Sequence, residues 1–406
     1  MTLNASAPVV VLQLWSDPLH YGVLGVTRTL GRLGVPVYLV APDERAPTAR
    51  SRFTAATFAW NGLPANGGGV VDFLRNLAER LGERALLIPI DDLGPLVLDE
   101  HANELSEYFT FQRQPAGLVR ALTNKRQMSR LAREHGIATP AIEMPASDAD
   151  VERFLEHSAM PVVLKGAESF LPGSGERADL LIASTPEEVR RAYRSMSAGG
   201  RANLMLQEYI PGGPDSQWMF NGYFNTRSEC LVAFTGRKLR QFPPYTGATS
   251  LGVCETNPEV EQMTIRFMRE IGYHGVLDLG YRYDERDGQY KLLDVNPRVG
   301  STFRLFVDRS TGLDVVRALY LDLTGQAVPP AAVHEGRRWV VEPRDLLSSL
   351  TYGRDGRLSA RGWLTSFRGV EEAAWFARDD LRPLLGLARR AGRAAVRRGV
   401  EKIRRS

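Results

Sequence analysis

The sequence predicts an α/β unit built on a small open parallel sheet, followed by a larger α+β region rich in antiparallel sheet. Three observations carry that prediction. Short apolar runs near the N-terminus alternate with helical patterns, as parallel strands covered on both faces require. In the middle of the chain the pattern changes to strand pairs joined by turn residues, with "GVLDLGYRYD" and "YKLLDVN" facing each other across "ERDGQ". A length of 406 residues leaves room for two or three such units.

Taken in order, "PVVVLQL" opens as a strand, "WSDPLHYG" is a loop, and an amphipathic helix from Val23 to Leu33 is closed by Gly34 before the strand "VPVYLVA". A helix over 71–81 and the strand "ALLIPID" extend this first unit to about residue 115. Glycines 22, 25, 31 and 34 do not spell G-x-G-x-x-G, and no acid stands at the ribose position, which argues against a dinucleotide site. One helix is expected over 117–135, then the strands "PVVLK" and "DLLIAS" around the loop "GAESFLPGSGERA". "TPEEVRRAYRSM" is a helix with Thr185 as N-cap and Pro186 in its first turn, and "LMLQEYI" is a strand ended by "PGGP". Trp218 to Thr249 reads as short alternating strands. From about residue 335 the helical pattern "VEEAAWFARDD" and a basic tail read as an appendix, so the expected units are 1–115, 116–330 and 331–406.

The two cysteines, Cys230 and Cys254, have no metal-ligand spacing, so neither a disulfide framework nor a zinc site is indicated. "PVVVLQLW" lacks a basic leader, and no segment reaches the roughly 18 apolar residues of a membrane span, so a cytoplasmic protein is expected. The net charge of +4 is owed to residues 389–406, which hold eight Arg or Lys and one Glu. The rest is net negative, which excludes a whole-surface nucleic-acid footprint. The tail leaves two readings open: a solvated appendix, and a peripheral contact with an anionic membrane or an acidic partner. Nothing in the pattern sets an oligomeric state.

In "KLLDVNPRVGSTFRLF" an extended chain points residues i and i+2 to one face, so Asp294 and Asn296 project together. Two hard oxygen ligands on one face suit magnesium, which keeps several waters and is usually held by one or two protein groups plus substrate phosphates. A nucleotide is the missing partner, and manganese is the alternative ion.

Four pieces in order carry a family resemblance: "LTNKRQM" followed by "GIATP", "PVVLK" before a glycine-containing loop, "LQEYIPGGPD", and "LLDVNPR". Together they resemble the ATP-grasp superfamily, specifically its carboxylate-amine ligase-like members, over about residues 115–310. The N-terminal sheet resembles the domain that precedes the ATP-grasp fold in such enzymes. The resemblance implies an ATP-dependent ligase that forms an amide through an acylphosphate, acting on small-molecule carboxylate and amine substrates such as an amino acid or small peptide. A phosphotransferase of the same fold and a non-catalytic ATP-binding regulatory protein are the alternatives.

The resemblance also implies site residues. Lys125 and Lys165 are phosphate-directed charges, and the loop amides at Gly173 and Ser174 cradle the phosphates. The adenine lies against Gln207, Glu208, Tyr209 and Ile210, and Asp215 accepts from the ribose hydroxyls. Where relatives set a metal-binding acid this chain has Gly280, so Asp278, two residues earlier on the same face, takes that role with Asp294 and Asn296. Arg298 and Arg282 are expected to stabilise charge on the acylphosphate, with Arg237, Lys238 and Arg240 as further candidates. No general base is singled out: His20 either borders the substrate cleft or, as the preferred reading, is an ordinary surface histidine, and Asp91 and Asp92 either bind an amino group or cap a helix.

Overall fold

The structure is a computed structural model that describes residues 3–15, 17–60, 62, 68–166, 180–198 and 204–403, with side chains as far as Arg393. Strands β1 (Val9–Leu12), β2 (Val37–Ala41), β3 (Thr54–Ala59), β4 (Ala85–Pro89) and β5 (Phe109–Thr110) form a parallel sheet in the order β3-β2-β1-β4-β5. Period two divides each strand between two cores. Val9 and Val11 pack with α1 (Gly22–Gly31), whereas Val10 and Leu12 pack with α2 (Gly68–Leu81), α3 (Leu93–Glu100) and α4 (Ala102–Tyr108). The chain reverses its direction of travel across the sheet between β1 and β4, and the loops after these two strands open a crevice there.

The helix expected over 117–135 is two helices, α5 (Leu118–Thr123) and α6 (Lys125–Glu134). Asn124 is extended between them, and its side chain accepts a hydrogen bond from the Gln127 amide at 3.1 Å. The break puts Lys125 at the first helical position instead of mid-helix. A small antiparallel sheet follows, β6 (Ile142–Glu143), β7 (Val162–Gly166), β8 (Leu181–Ala183) and β9 (Leu204–Glu208) in the order β6-β9-β7-β8, backed by α7 (Asp148–His157) and α8 (Pro186–Ala198). Thr185 caps α8 as expected, its hydroxyl accepting from the Glu188 amide at 3.2 Å.

The large sheet contains β10 (Gln217–Phe224), β11 (Cys230–Phe242), β12 (Ala248–Cys254), β13 (Gly275–Asp284), β14 (Gln289–Asn296), β15 (Arg338–Val340) and β16 (Val370–Ala373), in the order β14-β13-β10-β11-β12-β15-β16. The stretch expected as short strands is therefore two long ones, β10 and β11. One face packs on α5, α6 and α9 (Pro258–Glu270). The other shares a core with α1 and α10 (Val315–Leu323).

Residues past 331 are built into this body. β15 pairs antiparallel with β12, and β16 pairs parallel with β15. "VEEA" is thus an edge strand where a helix was expected, because Arg304, Arg309 and Arg337 hold the carboxylates of Glu371 and Glu372 against the sheet. α11 (Glu342–Arg354) is anchored by Asp345, which accepts from Nε and Nη2 of the buried Arg240, each at 2.8 Å; α12 (Ala360–Thr365) follows. α13 (Arg382–Ile403) rests its first turns on Pro47–Arg50, with Leu384 and Leu387 against the core. Just before it, Asp380 meets Arg28 of α1 at 3.0 Å, both side chains buried, and the same guanidinium donates to the Ala374 and Trp375 carbonyls.

Candidate active site

A cleft runs between the small sheet and the large one. It is lined by Lys125, Val163, Lys165, Gln207, Glu208, Tyr209 and Ile210, and by Gln217, Trp218, Lys238, Gly280, Arg282 and Asp294. At its inner end the β13/β14 register sets Asp278 opposite Asn296 and Gly280 opposite Asp294. Two carboxylates and an amide therefore share one face, and the Asn296 amide reaches Asp278 at 3.3 Å and Asp294 at 3.4 Å. Among the described residues nothing lies within 4 Å of where a Gly280 side chain would start, which leaves the space facing Asp294 open.

Burial lifts the Asp278 carboxyl to about 6 against the pull of Arg298 and Lys238. Burial acts on Asp294 in the same direction, but Lys125, ion-paired to it, prevails with help from Lys165 and Arg298 and holds it at about 2. Lys165 is drawn down to about 8, chiefly by burial and then by Lys125. Lys238 is lowered by burial too, while Asp278 and Asp294 favour its charge. The result is a dense, alternating set of charges around an open space.

Arg298 comes to this cluster from the loop after β14, held by Asp92 at 2.6 Å. Burial opposes its charge, and Asp92 and Asp278 outweigh that. Arg282 does not join it. Four residues from Asp278 along β13, it lies about 13 Å away, donates to the Gly212 carbonyl at 2.6 Å, and stacks 5.2 Å above the Tyr209 ring. It steadies the turn beyond β9, at the far end of the cleft.

A D-aspartate ligase from Enterococcus faecium is 27% identical over 289 residues, 68% of each chain. No protein-family model matches. Among solved structures, the N5-carboxyaminoimidazole synthetase of Staphylococcus aureus complexed with ADP superposes with a TM-score of 0.62 at 10% identity, over 83% of this chain and 82% of that one. The biotin carboxylase domain of Hydrogenobacter thermophilus 2-oxoglutarate carboxylase, with MgADP and bicarbonate, gives 0.61 at 16%, over 83% and 74%. The L-amino acid ligase of Bacillus licheniformis gives 0.57 at 13%, over 78% and 74%. The chain has the ATP-grasp fold.

Within this ATP-grasp cleft the expected residues sort themselves. Lys125, Lys165, Gln207, Tyr209, Ile210, Asp278, Asp294 and Asn296 converge. Glu208 lines the cleft, but its carboxylate is engaged by the Ala141 amide at 3.1 Å and by Arg286 at 2.5 Å. Asp215 does not converge: its side chain is 87% exposed and paired with Arg237, which also binds Glu255. Gly173 and Ser174 lie outside the described residues. Of the three basic candidates on β11, Lys238 alone faces the carboxylates, because the register shifts between it and Arg240 and turns Arg240 towards Asp345.

The N-terminal loops add what sequence reasoning left open. Asp91 is structural: buried, it accepts from the amides of Leu14 at 2.5 Å, Trp15 at 2.7 Å, and Leu93 and Gly94 at 3.1 Å. Asp92 is the partner of Arg298. His20 is half-buried. Its Nδ1 is buried and, among the described residues, has no hydrogen-bond partner, and burial, reinforced by Arg298, brings the ring down to about 4.

Proposed function

We propose that the protein is an ATP-dependent ligase that joins a carboxylate to an amine through an acylphosphate, with an amino acid as a substrate. One observation carries this reading: Lys125, Lys165 and Asp294 line an ATP-grasp cleft, and Asp278, Asn296 and Arg298 cluster with Asp294 at its inner end. The similarity to a D-aspartate ligase and to an L-amino acid ligase supports an amino acid as substrate.

Lys125 and Lys165 orient the ATP phosphates as point charges, and the backbone of Gln207–Ile210 takes the adenine. Among the described residues no three His, Cys, Asp or Glu side chains form a metal cluster. The set of two carboxylates and an amide is sparse, as suits an ion that keeps most of its water. Asp278, Asp294 and Asn296 would hold magnesium, or manganese as the alternative, and the ion would supply charge neutralisation at the phosphate oxygens. Arg298 would hold the carboxylate and offset charge on the phosphoryl oxygens as its oxygen attacks the γ-phosphorus and ADP leaves, and would then meet the oxyanion that forms when the amine adds to the acylphosphate carbon, before phosphate departs. Because Asp92 fixes the guanidinium beforehand, little reorganisation is needed.

ADP release over a panel of amino acids, with and without amine and with hydroxylamine to trap acylphosphate, tests the reading. ADP is expected only with a carboxylate present, and a hydroxamate is expected in the trap. The folded Asp294→Ala/Asn296→Ala double variant is expected to be inert, and undiminished turnover by it overturns the assignment of the ion site. Among the described residues no helix is long and apolar enough to cross a membrane. For α13, whose first turns are docked and whose later turns carry Arg389, Arg390 and Arg393, peripheral contact with anionic lipid is proposed. Salt-sensitive vesicle binding that disappears on truncation after Leu387 supports it, and equal indifference of both chains to vesicles refutes it.

A further inference from the structure

The crevice at the carboxyl ends of β1 and β4 is bordered by groups the reaction has not used. The loop after β1 carries Asp17, His20 and Tyr21, the loop after β4 carries Asp92, and Arg298 enters from the large sheet. A further guanidinium arrives from α11. Arg344 lies 4.9 Å from the centroid of the Tyr21 ring, its Nη1 3.3 Å from the Tyr21 hydroxyl. Tyr21 is itself fixed, 4% exposed and 5.6 Å from the ring of Trp339 on β15.

Arg344 differs from the other arginines that knit the C-terminal segment to the body. Arg28, Arg240, Arg304 and Arg337 are each matched by a carboxylate within 3.0 Å. Among the described residues Arg344 is half-buried with only the Tyr21 hydroxyl and ring for company. Asp17, the acid of the same loop, is turned to the Leu19 amide at 2.9 Å and makes no ion pair with it. A partly desolvated cation without a counter-ion is costly to keep unless an anion visits it. The neighbouring His20 Nδ1 is buried and, among the described residues, has no hydrogen-bond partner. The Tyr21 hydroxyl feels both Arg344 and, more weakly, Asp278, so the guanidinium and the carboxylate cluster are both within electrostatic reach of one residue.

We propose that Arg344 binds the second carboxylate of a dicarboxylic amino acid whose first carboxylate reacts beside Arg298. The inference rests on the ligase reading and narrows its substrate to an acidic amino acid. Arg298, held by Asp92, and Arg344, held by Tyr21, act as two separate anion sites on the loops of this crevice, so a substrate with one carboxylate fills only one of them. Asp17, on the loop that carries Tyr21, is the acid that would meet the amino group. The C-terminal segment thereby supplies a specificity residue to the site.

The test measures ADP release with aspartate, glutamate, alanine and β-alanine, the last two each being aspartate without one carboxylate. The wild-type protein is expected to favour aspartate or glutamate over both monocarboxylates by at least tenfold in kcat/KM. Arg344→Gln is expected to lower that ratio about tenfold, mainly through the KM of the acidic amino acid, while calorimetry finds ATP affinity retained. Arg344→Lys restores part of the ratio, and serves as the test variant if the Gln protein does not fold. An unchanged ratio, or equal loss with every amino acid, overturns the proposal and leaves the ligase reading standing, as does a wild-type preference for a monocarboxylate. No ADP from any amino acid in the wild type refutes the ligase reading, and this inference with it.

Discussion

Replacing Gly300 by alanine sets a methyl group against the carboxylate of Asp278. The new carbon would lie 2.6 and 2.7 Å from the two carboxylate oxygens and closer still to their carbon. Relaxed non-bonded contacts stand about 3.5 Å apart, so the carboxylate or the loop that carries Arg298 must yield by about 0.8 Å. The hydrogen bond from Asn296 to Asp278, already 3.3 Å, does not survive such a shift. Gly300 does not occupy the left-handed region, so alanine brings no backbone strain and the effect is steric. Overpacking of this kind lowers stability by about 1–3 kcal/mol. A displacement near 1 Å in a positioned catalytic set lowers the rate by roughly a hundredfold. Gly300→Ala is thus expected to remain folded in a thermal melt while kcat/KM for ADP release drops on the order of a hundredfold. Turnover within threefold of wild type, from a variant shown to bind ATP normally, would refute the idea that the position of Asp278 matters.

Two further outcomes separate the charged residues. Burial brings Lys165 from 10.5 to about 8, so between those values the unfolded chain binds the extra proton and stability rises with pH; below about 8 the full penalty of burying the charge is present. Lys165→Met is therefore expected to stabilise the ligand-free protein at pH 7 by up to about 3 kcal/mol, with the gain vanishing above pH 10.5, and to weaken ATP binding; denaturant melts across pH and calorimetry check both. Arg298→Met is expected to lower kcat by about a hundredfold or more, whereas Arg282→Met acts on nucleotide KM by freeing the turn at Gly212, and steady-state kinetics that give the two variants the same profile contradict the placement.

Much of this arrangement is written in local pattern. Strands β1, β2 and β4 stand out because a strand buried on both faces is apolar throughout, and the pairing of Asp294 with Asn296 follows from alternation alone. That Asp278 stands opposite Asn296 needs the cross-strand register, which the turn "ERDGQ" starts and an irregularity between Gly280 and Tyr281 shifts by one residue. Other features are decided by distant contacts. β15 is three residues long, too short for a period to show, and β16 looks helical until the arginines that hold its two glutamates are known. Lys238 and Arg240 have the same parity, so only the irregularity between them explains why one faces the carboxylates and the other is buried against Asp345. His20 and Arg344 are single residues without a motif around them. Their meaning comes from a crevice that forms when segments more than 300 residues apart meet.

The bond between Arg28 and Asp380 also bears on how the chain is made. During synthesis α1 emerges 352 residues before its carboxylate partner. Until then Arg28 has neither that charge nor the carbonyls of Ala374 and Trp375, and Ser51 and the Arg52 amide also lack the Asp380 oxygens they bind. Leaving one member of such a buried pair alone is worth about 3–5 kcal/mol of stability, a large part of what a domain of this size possesses. The first sheet therefore waits, incompletely closed, until Asp380 has been made, and a ribosome stalled before residue 374 displays a chain whose opening domain has not yet been sealed.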